Sequence, residues 1–206
     1  MANDTTGAVG PPLPKPAVTN IISEDTGEEE SWKHRPPYRI QSLEEFGPVK
    51  WKGTCKCGQI AYYLNRDKPL KAKFCHCRGC QVMHGAPFQW AAIFHKADMF
   101  FAKGASGLSF YSSAHQTREY ETPTKVYCSF CHSPIMDEGR NVCLIFPELI
   151  DFGEDKLLHT MKTFYPSCHI FYSERCLEIM DGVEKWSGMD EDSELMDDRG
   201  NVKKNS

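Results

Sequence analysis

The chain has 206 residues, enough for one domain of ordinary size with flanking segments, and 25% of them are charged. No apolar run approaches the ~18 residues that a membrane-crossing helix needs, which excludes that class. The net charge of -4 is unevenly spread: residues 1–46 carry 4 basic and 8 acidic side chains and residues 187–206 carry 3 and 6, which leaves a mildly basic middle. That excess is too small and scattered for a nucleic-acid footprint, which needs a concentrated basic face.

In chain order, residues 1–46 read as a disordered tail. Gly10-Pro11-Pro12-Leu13-Pro14-Lys15-Pro16 is a polyproline-type stretch and Glu28-Glu29-Glu30 is a charge run. Such composition buries too little apolar surface to offset chain entropy. Met1 to Pro16 has neither the basic nor the apolar region of a signal peptide. A cytoplasmic location is therefore expected.

Residues 47–186 read as one mainly β domain of small antiparallel sheets. Strands are expected at Gln59–Leu64, Phe88–Phe94, Leu108–Tyr111 and Val142–Phe146, where β-branched and aromatic residues cluster between turn signals. Helix is expected only for a turn or two after Cys80 and near Pro147–Ile150. Residues 187–206 are acidic and read as a second disordered tail.

Seven of the ten cysteines fall in three clusters: Cys55 and Cys57; Cys75, Cys77 and Cys80; Cys128 and Cys131. A disulfide framework would require an oxidising compartment and a secretory signal. Turns of the C-x-C and C-x-x-C kind instead aim sulfurs at one ion, and zinc is favoured over an iron–sulfur cluster. Seven thiols are one short of two closed four-cysteine sites. A structural zinc has four protein ligands, whereas a catalytic one keeps three and leaves a position free. The expectation is two zinc ions per chain. Cys55 and Cys57 pair with Cys128 and Cys131 across a β-fold. Cys75, Cys77 and Cys80 grip one face of a second ion, with His76 and His84 as candidates to close it. Cys143, Cys168 and Cys176 stand alone and read as small buried hydrophobes.

Gly53-Thr54-Cys55-Lys56-Cys57-Gly58, Phe74-Cys75-His76-Cys77-Arg78-Gly79-Cys80, Gly85-Ala86-Pro87-Phe88 and Cys128-Ser129-Phe130-Cys131 together resemble the glutathione-dependent formaldehyde-activating enzyme family, also called the centromere protein V type. His169-Ile170-Phe171 and Asp181-Gly182-Val183 resemble its ending, so the likeness spans about residues 49–186. It implies a β-tent fold with two zinc sites. Cys55, Cys57, Cys128 and Cys131 would be structural ligands, and Cys75, Cys77 and Cys80 catalytic ones. The implied activity is carbon–sulfur lyase chemistry on a glutathione adduct. The chain departs from that pattern in its long N-terminal segment and at Ser173-Glu174-Arg175-Cys176, where the pocket wall is expected to differ.

A three-thiolate zinc is electron-rich and suits a soft thiolate ligand better than it suits activation of water. The first reading is therefore a zinc enzyme that makes or breaks a carbon–sulfur bond on a small thiol or thioether, in detoxification or specialised metabolism. Phe88, Gln89, Trp90 and Phe94 follow the zinc run and are candidate pocket residues, with Trp90 and Phe94 better read as core. Arg78 is a candidate for a substrate carboxylate, or equally serves to offset the thiolate charge. The second reading is a non-catalytic zinc-stabilised interaction module. The third, a nucleic-acid-binding zinc ribbon, lacks a legible basic and aromatic surface.

Overall fold

The computed structural model describes residues 30–203. The Pro-rich stretch before residue 17 lies outside them. Two short segments precede the sheets: a 3-10 turn at Ser31–His34 and a helix α1 at Leu43–Phe46. Helix α1 is fixed by a reciprocal cap, in which the Ser42 hydroxyl accepts from the Glu45 N–H and the Glu45 carboxylate accepts from the Ser42 N–H.

The strands are β1 (Trp51–Thr54), β2 (Ala61–Leu64), β3 (Lys71–Cys75), β4 (Gln89–His95), β5 (Met99–Phe101), β6 (Leu108–Tyr111), β7 (Thr124–Cys128), β8 (Pro134–Glu138), β9 (Val142–Ile145), β10 (Cys168–Ile170), β11 (Glu184–Trp186) and β12 (Leu195–Met196). Helix α2 (Arg78–His84) joins β3 to β4, and α3 (Lys156–His159) continues into a π-helical turn at Thr160–Phe164. The mainly β class is as expected. Helix falls after Cys77 and, as a 3-10 turn, at Pro147–Leu149.

Among the described residues these strands form two sheets. The small one has the order β1-β2-β5 and is antiparallel throughout. The large one has nine strands in the order β12-β11-β10-β3-β4-β9-β8-β7-β6. It is not purely antiparallel, because β10 runs parallel to both β3 and β11. This differs from the all-antiparallel expectation. The chain leaves β9 and crosses through α3 before it returns beside β3, and a crossover of that length is what a parallel neighbour requires.

The two sheets pack their apolar faces together around Tyr62, Leu64, Phe94, Phe101, Met136 and Ile145, all essentially without solvent access. Alternation along the strands produces this core. In β7, Thr124, Val126 and Cys128 point in while Lys125 and Tyr127 are only half-buried.

The flanking segments hold more structure than their composition predicts. Trp32 stacks on Tyr120 with ring centroids 3.8 Å apart. Tyr38 is 1% exposed and its hydroxyl donates to Glu138 Oε2 at 2.6 Å. Tyr120 donates to the other oxygen of that carboxylate at 2.7 Å, and Lys96 pairs with it at 2.5 Å. On the other side of residue 186, β12 pairs with β11, and Asp190 accepts from Lys71 at 2.6 Å and also from Lys73. A few aromatic and charged anchors tie down segments whose average composition is polar.

Candidate metal centres and an adjoining cleft

The first cluster lies between the sheets. Cys55 and Cys57 sit in the turn after β1, which Gly58 closes with φ 74. The Gly58 N–H donates to the Cys55 carbonyl at 3.0 Å, a geometry that favours glycine. Cys128 ends β7, and Cys131 lies in the hairpin turn before β8. All four Sγ atoms fall within 4.8 Å of one another. Cys55 and Cys57 are 3.4 Å apart, and Cys57 and Cys128 are 3.8 Å apart. A tetrahedron with zinc–sulfur bonds of about 2.3 Å has edges of about 3.8 Å, so the donor set fits such an ion. The Ile60 N–H points at Cys55 Sγ at 3.3 Å. The Ser133 hydroxyl and backbone N–H hold the Cys131 thiol down to about 5. Both features favour thiolate.

The second cluster lies at the end of β3. Cys75 is its last residue, and Cys77 is the N-cap of α2, with its Sγ accepting from the Cys80 N–H at 3.4 Å. The helix stops at Gly85, which adopts φ 58. The sulfurs of Cys75, Cys77 and Cys80 also lie within 4.8 Å of one another, and no fourth Cys, His, Asp or Glu joins them among the described residues. Hydrogen bonds from the Cys75 and Cys80 thiols, aided by backbone N–H groups, pull the Cys77 thiol down to about 2. The hydrogen bond with Cys77 pushes the Cys75 thiol up to about 11, and hydrogen bonds with Cys75 and then Cys77 push Cys80 up as well. Three sulfurs this close do not all ionise unless a cation joins them, and a soft divalent ion would supply that cation.

His76 and His84 take different positions. His76 is fully buried and bonds through Nε2 to His169 Nδ1 at 2.8 Å. It is held neutral, its pKa lowered to about 4 chiefly by burial and then by the neighbouring His169 and Lys185. His84 lies one helical turn beyond Cys80, edge-on to Phe146 with centroids 4.9 Å apart. Burial lowers its pKa too, and its Nε2 is buried with no hydrogen-bond partner.

His84 lines a cleft of about 200 Å³ shared with Phe88, Gln89, Trp90, Phe146 and Glu148. Gln89 is the cross-strand partner of Cys75 in the β3–β4 ladder, so the cleft adjoins the three-cysteine cluster. Its floor is polar. Gln89 Nε2 donates to Asp137 Oδ2 at 2.9 Å, and Lys125 donates to the same oxygen at 2.6 Å. Gln89 Oε1 and Asp137 Oδ1 are buried without partners, as is His84 Nε2. Buried polar atoms left unsatisfied are rare, and two of these three belong to residues that line the cleft, which marks it as a place for a polar ligand. Glu148 stands at the rim, where the cleft walls raise its carboxyl pKa by desolvation.

Of the aromatic candidates, Phe88 and Trp90 line this cleft, whereas Phe94 belongs to the core. Arg78 is exposed and makes no ion pair among the described residues; its backbone N–H donates to Glu174 Oε2 at 2.7 Å. The segment Ser173–Cys176 therefore lies against the start of α2. Cys143 and Cys168 are buried as expected, but Cys176 is exposed, with its Sγ near the Pro87 carbonyl at 3.9 Å. Sequence reading missed Lys125 and Asp137. Their only signal is a pair of acids, Asp137-Glu138, ending an otherwise apolar strand.

Fold and sulfur clusters define a mainly β, cysteine-rich domain able to hold metal ions compatible with zinc. A family model described as glutathione-dependent formaldehyde-activating enzyme matches residues 50–174, more than half of the chain, and the chain belongs to that family. A crystal structure of a Rhodobacter sphaeroides protein, a structural-genomics target, is similar at 21% identity, covering 52% of this chain and 94% of that one, with a TM-score of 0.41. No curated protein matches the chain. No helix among the described residues is long and apolar enough to cross a membrane.

Proposed function

We propose that the protein is a zinc-dependent carbon–sulfur lyase that makes or breaks a carbon–sulfur bond on a small thiol adduct of the glutathione-adduct type. Two zinc ions per chain serve it, one at the four-cysteine cluster as a staple and one at Cys75, Cys77 and Cys80. The observation that carries this reading is the three-sulfur cluster set beside a cleft with unsatisfied polar atoms. A pure scaffold has no use for an incomplete ligand set or for buried polar atoms without partners.

Zinc bound by three thiolates supplies a soft Lewis acid that favours the thiolate form of an incoming sulfur. The rest falls to the chain. Phe88, Trp90 and Phe146 shield the carbon part of the adduct from water, and Gln89 orients its oxygen. Adding a thiol to an aldehyde moves one proton from sulfur to oxygen as the carbon–sulfur bond forms, and cleavage returns it. His84, neutral and with a free ring nitrogen in the cleft, takes up and delivers that proton. Arg78, exposed at the start of α2, pairs with a carboxylate of the thiol. Seven reduced cysteines as ligands suit a reducing compartment, so we place the protein in the cytoplasm.

The test is to incubate zinc-loaded protein with glutathione and a panel of aldehydes, or with the preformed adducts, and follow free thiol. Thiol is expected to appear or disappear with turnover. Turnover of a sulfur-free substrate in thiol-free buffer would overturn the proposal.

A further inference from the structure

Behind the three-cysteine cluster runs a buried polar chain that the proposed chemistry does not use. His76 stands between two of the clustered cysteines and is anchored at each of its polar groups but one. Its backbone N–H donates to the Ile170 carbonyl at 3.0 Å. Its carbonyl accepts from Gln81 Nε2 at 2.6 Å. Its Nε2 meets His169 Nδ1 at 2.8 Å, and His169 Nε2 meets Asp181 Oδ2 at 2.9 Å. Asp181 is held in turn by Lys185 at 2.7 Å, a lysine only 1% exposed that also pairs with Asp198.

The ring protons follow from the partners. The Asp181 carboxylate only accepts, so His169 carries its proton on Nε2. His169 Nδ1 is then an acceptor, and the bond to it must come from a proton on His76 Nε2. One arrangement of protons satisfies the chain from Lys185 to His76. A ring locked at one tautomer by a carboxylate is the device that metal sites use to orient a ligand. Here the oriented residue is the backbone link between two ligands.

We propose that Asp181 and His169 are positioning residues, acting through His76 to hold the Cys75–Cys77 turn in the shape that grips a metal. The tightness of the three-cysteine site is then set from the C-terminal part of the chain. The inference rests on the reading that Cys75, Cys77 and Cys80 hold an ion.

The test compares His169→Leu with His169→Gln in full-length protein loaded with zinc. A glutamine can accept from His76 and donate to Asp181, whereas a leucine fills the space and does neither. Zinc release to a chromogenic chelator is followed, with the two phases assigned by Cys77→Ser and Cys128→Ser. Chromogenic release from the three-cysteine site is expected to quicken roughly 10–100-fold in the leucine variant. It should stay near the parent rate in the glutamine variant, and the four-cysteine phase should not move. Asp181→Asn, nearly isosteric, is expected to fall between them. Equal release from leucine and glutamine variants, or parallel acceleration at both sites, would overturn the inference. Parent protein that binds no zinc at Cys75, Cys77 and Cys80 would instead overturn the functional reading on which it rests.

Discussion

Cys57 Sγ, in the turn after the first strand of the small sheet, lies 3.8 Å from Cys128 Sγ, at the end of a strand of the large sheet 71 residues later. An ion there would join the two halves of the core, and its binding energy would become folding energy. The other cluster spans only six consecutive residues. Cys128→Ser is therefore expected to cost on the order of 4 kcal/mol, lowering the melting temperature by about 10 °C or more. Cys77→Ser should move it by a few degrees while abolishing turnover. Thermal melts with metal analysis on both variants check this, and equal losses would show that both clusters are structural.

His84 tests the assignment of the proton carrier. Its ring is packed on Phe146 and its Nε2 has no protein partner, so His84→Gln should keep most of the packing. Turnover is expected to fall by roughly 10²–10⁴-fold with zinc content unchanged. An unaltered rate would move the role elsewhere in the cleft, with Glu148 the next group to test.

Acid should loosen the C-terminal docking. Burial alone would raise the Asp190 pKa, but hydrogen bonds from Lys71 and Lys73 outweigh it and bring the pKa below the ordinary value. The unfolded chain then binds more protons between the folded value and about 4, so stability rises with pH in that window. The contribution is complete above about pH 4 and is lost as pH falls through the folded pKa. Asp190→Asn is expected to cost about 1–3 kcal/mol at neutral pH and to flatten the stability profile below about pH 4. Denaturant melts from acid to neutral pH would show this, and an unchanged profile would assign the pH dependence to other carboxylates.

The N-terminal segment should be divisible. Removal of residues 1–29 is expected to leave the melting temperature within a degree or two. Removal through residue 46 strips Trp32, Tyr38 and Phe46 from their contacts and leaves the Glu138 carboxylate short of a donor in a buried site. Tyr38→Phe isolates that last effect and should cost roughly 1–3 kcal/mol. Melts of the two truncations and the point variant separate packing from the hydrogen bond.

Much of this architecture is legible in the chain. Aromatic and β-branched runs mark β2, β4, β6 and β9, because half-buried strands need those side chains. Cysteine spacing singles out the clusters, since ligands on one turn are a local matter. What escapes local reading is decided by distant partners. Trp32 and Tyr38 are single anchors in polar surroundings, and averaging over a window hides them. His76 meets a partner 93 residues away, and nothing near it in sequence announces that. The parallel pairing of β10 depends on a strand of three residues whose neighbours only the complete sheet selects.

That late strand has a consequence for how the protein is made. At a synthesis rate of about 5–20 residues per second, the 93 residues between His76 and His169 take roughly 5–20 s to emerge. Throughout that interval the three thiols stand on a strand whose β10 neighbour has yet to emerge. On the proposed reading, metal delivered early would meet a loose claw open to exchange with competing ions and to oxidation. Metal delivered after release meets the finished socket. If Cys75, Cys77 and Cys80 hold an ion, this layout makes correct loading a question of timing in the cell, and ties it to completion of the polypeptide rather than to first appearance of the ligands.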